Sequence, residues 1–504
     1  MRHSELTDRK QKLVYVNSPV STVLMVCLAI ALFICIGSSA GIVAGLIAII
    51  AVYSVLGVLA ACRDTRLDIL RPHVVMPLMF MFYALGPLFR WWNDYSQTEW
   101  TEYLLLMLLG LLAMRLGLYA ADHRRRDFVQ PTQVRDIRSL PVVAGVLGTL
   151  ALLSILTFVI AVGGIEASIH IGYGGTRYLA TQQIAGGYFG NGFVLLLFCC
   201  FMLMFYAGKR RARVAYLVGL VPVILATVYY EFMIGARSQL IYSFLFAFVL
   251  YHYGVRRVSS RWIIVFILAG LLVAQYWSFA RYNLPKGLEA ALTYPAHIVT
   301  QAPQDFLPMN ANEFRYPGAS LLELLRAPPD LWYGSSYIRA LQEAVPFLSR
   351  TGLTLGGNPS NWRMQHFYPA VAAAGGGYGF SPVAEGYLNF GISGIVLQLF
   401  LYGYIAGWLF RVCLSSGRMW GILIWAGALP TCMFMVMRIN FSSVIVFATH
   451  TAFVPGLLAL VLGLALKGRM RRPVAPPQES GIPVVTSEIP PIGLTQRTSR
   501  NPTT

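Results

Sequence analysis

Apolar stretches long enough to cross a membrane recur along most of the chain, and short polar segments connect them. A helix needs about 20 residues to cross the hydrocarbon core, because it rises about 1.5 Å per residue. The pattern therefore predicts an all-α, polytopic membrane protein of about twelve transmembrane helices. These are expected near residues 18–37, 40–61, 74–89, 103–121, 140–163, 190–208, 214–231, 239–254, 262–280, 387–410, 419–436 and 443–466.

Lysine and arginine residues cluster at alternate connections between these stretches. The clusters are Arg2 to Lys12, Arg63 to Arg71, Arg124 to Arg138, Lys209 to Arg213, Arg256 to Arg261, Arg411 with Arg418, and Lys467 onward. Because cytoplasmic loops carry an excess of these residues, both termini are predicted to be cytoplasmic. The first apolar stretch exceeds the roughly 7–15 residues of a signal-peptide core, so it is interpreted as a retained helix.

The amino-acid composition distinguishes between two possible partners, nucleic acid and membrane lipid. A net charge of +18 would suit a nucleic-acid-binding protein. However, 57% of the residues are hydrophobic and 12% are charged, whereas soluble domains carry about 25% charged residues. Since topology already accounts for the basic residues, the sequence predicts membrane lipid and no nucleic acid as a partner.

The stretches divide the chain into four regions. These are an N-terminal transmembrane region (1–280), an extracytoplasmic loop (281–385), a C-terminal transmembrane region (386–470) and a tail (471–504) whose composition predicts disorder. The loop contains two amphipathic stretches, 319–327 and 335–348, that would lay an apolar stripe against the bundle or the membrane surface. A long loop of this apolar character is predicted to be a lid or a substrate-binding cap.

Motifs for nucleotides and metals are missing from the sequence. It has no GxxxxGK[ST], no GxGxxG after a strand, no HExxH and no DxD-type aspartate pair. A nucleotide-consuming enzyme or an ABC-type pump is thereby disfavoured. Any reaction is expected to use an already activated substrate, with no cofactor and no metal.

Two arginines lie in short predicted outer loops, Arg237 within GARSQL and Arg438 within MRINFSS. Each could simply extend to the membrane interface, and Arg237 could pair with Glu231. Alternatively, a forked and permanently charged guanidinium could bind an anionic diphosphate.

The densest group of polar residues on the predicted outer face spans 358–394. Ser381 and Pro382 are predicted to be the N-cap and first residue of a helix, which places Glu385 in its first turn. Glu385 would then either complement the helix dipole or act as a general base toward a sugar hydroxyl. Arg363 and His366 lie upstream as further candidates, although a lone histidine in a loop is more often inert.

Three segments carry a resemblance to a known family. GARSQL at 235–240, GYGFSPVAEGYLNFGISGIV at 377–396 and MRINFSS at 437–443 resemble the Wzy-type O-antigen polymerases, which join oligosaccharide repeat units. The layout of many spans, with a large loop before a final group of three helices, is similar as well. The resemblance runs from about the seventh predicted span to the twelfth.

The resemblance implies a GT-C-like architecture and a metal-independent, inverting glycosyl transfer at the periplasmic face of a bacterial inner membrane. The substrates would be undecaprenyl-diphosphate-linked oligosaccharides, with a flippase and a chain-length regulator as possible partners. The implied residue roles are base catalysis by Glu385, assisted by His366, diphosphate binding by Arg237, Arg438 and Arg363, and substrate binding by Tyr387 and Asn389.

Two alternatives stay open at this point. An O-antigen ligase would attach finished glycan to lipid A core, but such ligases typically have a histidine-containing motif where this chain has Glu385. A non-enzymatic transporter of lipid-linked oligosaccharide would line its bundle with charges at mid-membrane. The predicted spans here are nearly free of charge, with Arg115 the main exception, which favours chemistry at the outer surface.

Overall fold

The computed structural model describes residues 39–63, 68–122, 140–164, 245–283, 288–301, 312–344, 356–373, 376–415, 417–449 and 453–469, with 221 and 225 in isolation. These residues form helices and no strands. The helices are α1 (Ser39–Arg63), α2 (Pro72–Leu85), α3 (Leu88–Trp91), α4 (Gln97–Asp122), α5 (Leu140–Val162), α6 (Leu245–Val255), α7 (Ser260–Asn283), α8 (Leu288–Gln301), α9 (Asn312–Arg326), α10 (Ser335–Ala344), α11 (Pro359–Phe367), α12 (Pro369–Ala373), α13 (Pro382–Ser415), α14 (Met419–Pro430), α15 (Phe441–Ala448) and α16 (Val454–Arg469). Two short helical segments, Thr431–Met435 and Val436–Arg438, follow α14.

Five of the described helical segments are long and apolar enough to cross a membrane. They are Gly41–Val58, Pro72–Trp91, Gln97–Asp122, Val142–Ala161 and Pro382–Ser415. They coincide with five of the predicted stretches, and α6, α7, α14 and α16 contain shorter apolar segments. The predicted stretches 18–37 and 190–208, and 214–231 apart from its two isolated positions, lie outside the described residues, so the total of twelve stays a prediction, as does the GT-C-like architecture.

The central pair of helices is α4 and α13, which share the most extensive contact among the described helices. Each contributes buried apolar residues at helical spacing to one core, Leu104, Leu111 and Leu118 from α4 and Ile395 and Leu399 from α13. Apolar residues all round a helix, with only one side buried by protein, are expected of a bundle whose outer faces contact lipid.

Part of the predicted outer loop packs into this bundle. Phe314, near the start of α9, is buried against Phe82 and Tyr83 of α2, with ring centroids 5.4 and 5.2 Å apart. Leu321 and Leu322 of the same helix belong to the same core. The amphipathic pattern at 319–327 thus lays its apolar stripe on the bundle, one of the two placements that the sequence allowed.

Candidate functional site

Helix α13 is bent back on itself near its start. Phe390 (φ −141°, ψ 20°) and Gly391 (φ 63°, ψ −142°) leave the helical conformation, and the positive φ of Gly391 favours glycine. The bend separates a short arm, 382–389, from a long arm, 392–415. A methyl group added to Gly386 on the short arm would lie only 2.7 Å from the backbone of Gly394 on the long arm, so the two arms touch.

The bend brings Gln398 to Glu385. Gln398 Nε2 donates to Glu385 Oε2 at 3.1 Å although the two residues are 13 positions apart. In a straight helix that separation would span about 20 Å. The predicted stretch 387–410 therefore begins on the short arm and continues, after the bend, on the long arm.

The start of the short arm agrees with the sequence prediction. Helix α13 begins at Pro382, and the Ser381 hydroxyl accepts a hydrogen bond from the backbone N–H of Ala384 at 3.1 Å. Ser381 is thus the N-cap. Glu385 lies in the first turn, as predicted.

The Glu385 carboxylate is fully buried and accepts three hydrogen bonds. The Ser336 hydroxyl donates to Oε1 at 2.7 Å, while the Phe441 N–H and Gln398 donate to Oε2 at 2.6 and 3.1 Å. Phe441 is the first residue of α15, so the carboxylate also lies at the positive end of a second helix. Burying a carboxylate is unfavourable unless donors of this kind replace its water.

Gln398 also connects the carboxylate to two tyrosines. Its Oε1 accepts from the Tyr337 hydroxyl at 2.8 Å, and its Nε2 donates to the Tyr402 hydroxyl at 3.2 Å. Sequence reasoning missed Ser336, Tyr337 and Gln398, which are distant in the chain and belong to no motif. Only the bend and the docking of α10 bring them together.

Asn389, a predicted substrate-binding residue, is fully buried and bonded to protein. Its Nδ2 donates to the Ser336 hydroxyl and to the Glu385 carbonyl, both at 2.8 Å. Its Oδ1 accepts from the Gly334 N–H at 3.1 Å. Tyr387, the other residue in this prediction, is half-buried against the apolar core.

The segment before α10 caps the short arm. The backbone N–H groups of Trp332 and Tyr333 donate to the carbonyls of Leu388 and Asn389, both at 3.0 Å. These carbonyls would otherwise lack partners at the end of a helix. The short arm is therefore held at its C-terminal end by the residues that lead into α10, the helix whose Ser336 binds Glu385.

Arg363, a predicted diphosphate-binding residue, forms a buried ion pair. Its side chain is fully buried, and Nε and Nη2 donate to the two carboxylate oxygens of Glu323, both at 2.6 Å. The remaining nitrogen, Nη1, donates to the Gly379 carbonyl. Every nitrogen of this guanidinium is thus occupied by protein, which favours a structural role.

Tyr368 completes the Glu323 site. Its hydroxyl donates to Glu323 Oε1 at 2.7 Å. Burial raises the pKa of the Tyr368 phenol well above its usual value, and the nearby Glu323 carboxylate raises it further. The phenol therefore stays protonated and remains a donor to Glu323 at neutral pH.

Arg438 belongs to the segment that leads to Phe441, the residue whose N–H binds Glu385. It is half-buried and ends the short helix Val436–Arg438, three residues before Phe441. Its backbone carbonyl and side-chain Cγ lie against Gly379, the same residue whose carbonyl binds Arg363. Asn440, between Arg438 and Phe441, is fully buried and accepts from the Ser360 hydroxyl at 3.2 Å.

The structure does not place all the predicted residues together. His366 is exposed, and its ring stacks on Trp362 with centroids 5.4 Å apart and planes 10° apart. Its ring also contacts Phe367, so within the described part of the chain it lies among aromatic rings rather than beside Glu385. Arg237 lies outside the described residues.

The described residues define an all-α integral membrane protein with a buried carboxylate, Glu385, bound by the segment that also carries the half-buried Arg438. Residues 333–468 match the family model described as O-antigen polysaccharide polymerase Wzy. This match confirms the resemblance over the segments 377–396 and 437–443, and it supports a role in O-antigen polymerisation. Neither the curated proteins nor the solved structures yielded a match to this chain.

Proposed function

We propose that the protein joins lipid-linked oligosaccharide repeat units into a polysaccharide at the periplasmic face of the inner membrane, without a metal. One observation carries the proposal. The region that matches the polymerase family, 333–468, contains a buried carboxylate, Glu385, and the segment MRINFSS, which binds that carboxylate through the Phe441 N–H and carries the half-buried Arg438 three residues earlier. A carboxylate and an arginine are the two groups that a metal-independent transfer from a diphosphate donor requires.

The reaction is a nucleophilic substitution at the anomeric carbon of the donor sugar, in which an acceptor oxygen replaces a diphosphate oxygen. The acceptor hydroxyl attacks from the face opposite the diphosphate, forming the glycosidic bond while the bond to the diphosphate oxygen breaks. Glu385 takes the proton of the acceptor hydroxyl. Arg438 and Arg237 compensate the charge that develops on the departing diphosphate.

Access to Glu385 requires local movement, because Ser336 and Tyr337 cover it. Oε1 accepts one hydrogen bond, from Ser336, whereas Oε2 accepts two. The acceptor hydroxyl therefore takes the place of the Ser336 hydroxyl at Oε1 when the first turn of α10 moves. Phe441 and Gln398 keep the carboxylate oriented through Oε2 meanwhile.

Deletion of the gene tests the proposed function. The deletion strain is expected to carry lipid core capped by single repeat units, because attachment continues when polymerisation is lost. Gel separation of the lipopolysaccharide is the measurement, and the wild-type gene should restore the ladder of chain lengths. Accumulation of long polymer that is not attached to lipid core would instead identify a ligase and contradict the proposal.

Substitution of the arginines by lysine tests how the diphosphate is bound. Arg438→Lys and Arg237→Lys keep the charge but lose the guanidinium fork, so each is expected to lose most of the polymer in the complemented strain. Arg411→Lys is a matched control, since Arg411 donates to the Ala121 carbonyl elsewhere in the bundle. Full polymer length in both test variants, at normal protein level, would rule out recognition through the fork.

A further inference from the structure

Helix α10 buries two of its polar side chains and exposes two of its large apolar side chains. Ser336 and Gln342 are buried, with 0% and 1% of their surface exposed, while Ile338 and Leu341 are 49% and 69% exposed. Ile338 and Leu341 are three positions apart and so share one face of the helix, opposite Ser336. A helix in water buries its apolar face, so the outer face of α10 (Ile338 and Leu341) is adapted to an apolar surrounding.

This outer face adjoins the exposed apolar surface of a candidate membrane span. The ring of Tyr337, on α10, stacks against Phe390 at the bend of α13, with centroids 6.2 Å apart. Phe390 and the nearby Ile392 are 39% and 57% exposed. Exposed apolar residues then continue along the long arm of α13, a candidate membrane span, with Leu397 at 56%. The apolar surface of the span thus extends across the bend to α10.

The opposite face of the same helix covers the reactive carboxylate. Ser336 donates to Glu385, and Leu341 lies five residues further along, about 7.5 Å in helical rise. A lipid-linked donor has its diphosphate covalently joined to its hydrocarbon chain. When the diphosphate lies beside Arg438 and Glu385, the chain must leave along an apolar surface close by.

We infer that the outer face of α10, together with Phe390 and Ile392, binds the polyprenyl chain of the donor. This inference rests on the proposed function. The chain lies across the bend of α13, between α10 and the surrounding lipid, and holds the diphosphate at the level of Arg438. Helix α10 thereby contacts the catalytic carboxylate through Ser336 and the hydrocarbon chain of the donor through Leu341.

Two donors that differ only in chain length test the inference. The double variant Ile338→Asn/Leu341→Asn is assayed with a full-length polyprenyl donor and with a donor of the same sugar and diphosphate on two isoprene units. With the long donor, KM is expected to rise about tenfold or more, because buried apolar contact is lost. With the short donor, KM should stay unchanged, and kcat should stay within about twofold for both.

Leu401→Asn is the matched control, because Leu401 is also an exposed leucine, 43% exposed, on the long arm of α13. It lies nine residues beyond Ile392, about 14 Å along the helix, and its KM for the long donor should match the wild type. Unchanged KM for the long donor in the double variant would overturn the inference. An equal rise for both donors would do so as well, since it would indicate a structural effect.

Photo-crosslinking separates failure of this inference from failure of the proposed function. A polyprenyl diphosphate without sugar, with a benzophenone at its chain, should label residues 335–344 of the wild-type protein even if no polymer forms with any donor. A phospholipid with the same benzophenone should label this segment less. Equal labelling by the two probes would mean that α10 contacts bulk lipid, and it would overturn the assignment to the donor chain.

Discussion

Replacing Glu385 by glutamine is expected to reduce polymer synthesis by a factor of about 10² to 10⁴, the usual effect of losing a general base. Glutamine keeps the shape of the side chain. Its amide oxygen can occupy the place of Oε2 and accept from Phe441 and Gln398, while its amide nitrogen donates to the Ser336 hydroxyl. The site therefore stays bonded, and the main change is that the side chain can no longer accept a proton.

The measurement is polymer synthesis by purified protein given lipid-linked repeat units, with binding of the same lipid measured alongside. Binding should survive in Glu385→Gln, because the arginines remain. Ser336→Ala is the control, since it removes the donor to Oε1 but leaves a carboxyl group at position 385 that can act as a base, and it should lose much less of the rate than Glu385→Gln. Near-normal turnover in Glu385→Gln would mean that Glu385 only complements the helix dipole, a contribution of about 0.3 to 1 kcal/mol.

Local signals in the sequence correctly predicted where helix α13 begins. Ser381 and Pro382 identify a helix start through short-range chemistry, because a hydroxyl caps free N–H groups and proline suits the first turn. Glu385 follows within one turn, so its position needed no knowledge of the tertiary structure. The membrane helices α1, α2, α4 and α5 were likewise predicted, because apolar length alone defines them.

The surroundings of Glu385 could not be predicted in the same way. Ser336 and Phe441 are 49 and 56 residues away from it in the chain. The bend at Phe390 and Gly391 lies within an apolar run that reads as one continuous span, because glycine occurs in straight membrane helices as well. Hydropathy carries no information on the sharp change of direction that brings Gln398 to Glu385.

Arg363 has a partner in the structure that the sequence analysis did not consider. An arginine in an outer loop was expected to be available to a diphosphate. Glu323, 40 residues upstream, occupies it instead. Glu323 lies on the same helix as the buried Leu321 and Leu322, and it is itself buried. In the sequence, Glu323 stands among leucines, within ASLLELLRA. That position was a signal that could have pointed to a buried cation partner.

Arg363→Met is expected to destabilise the protein strongly, because it leaves the Glu323 carboxylate buried without its cation. Breaking a buried ion pair in this way typically costs about 3 to 5 kcal/mol. The double variant Glu323→Gln/Arg363→Met removes both charges, and the new amide oxygen can still accept from the Tyr368 hydroxyl, so it should recover much of the loss. The measurement is the temperature at which half of the detergent-purified protein loses its monodisperse peak in size-exclusion chromatography.

Arg326→Met is the matched control, because Arg326 pairs with Glu99 at 2.9 Å but is half exposed. Exposed pairs contribute about 1 kcal/mol or less, so its transition should move little. Binding of the lipid-linked donor by the fraction of Arg363→Met that remains folded distinguishes the two roles of Arg363. Preserved binding with a lowered transition fits the buried pair with Glu323. An unchanged transition with weakened binding would instead restore Arg363 as a diphosphate ligand, and the ion pair would then have to open when the donor binds.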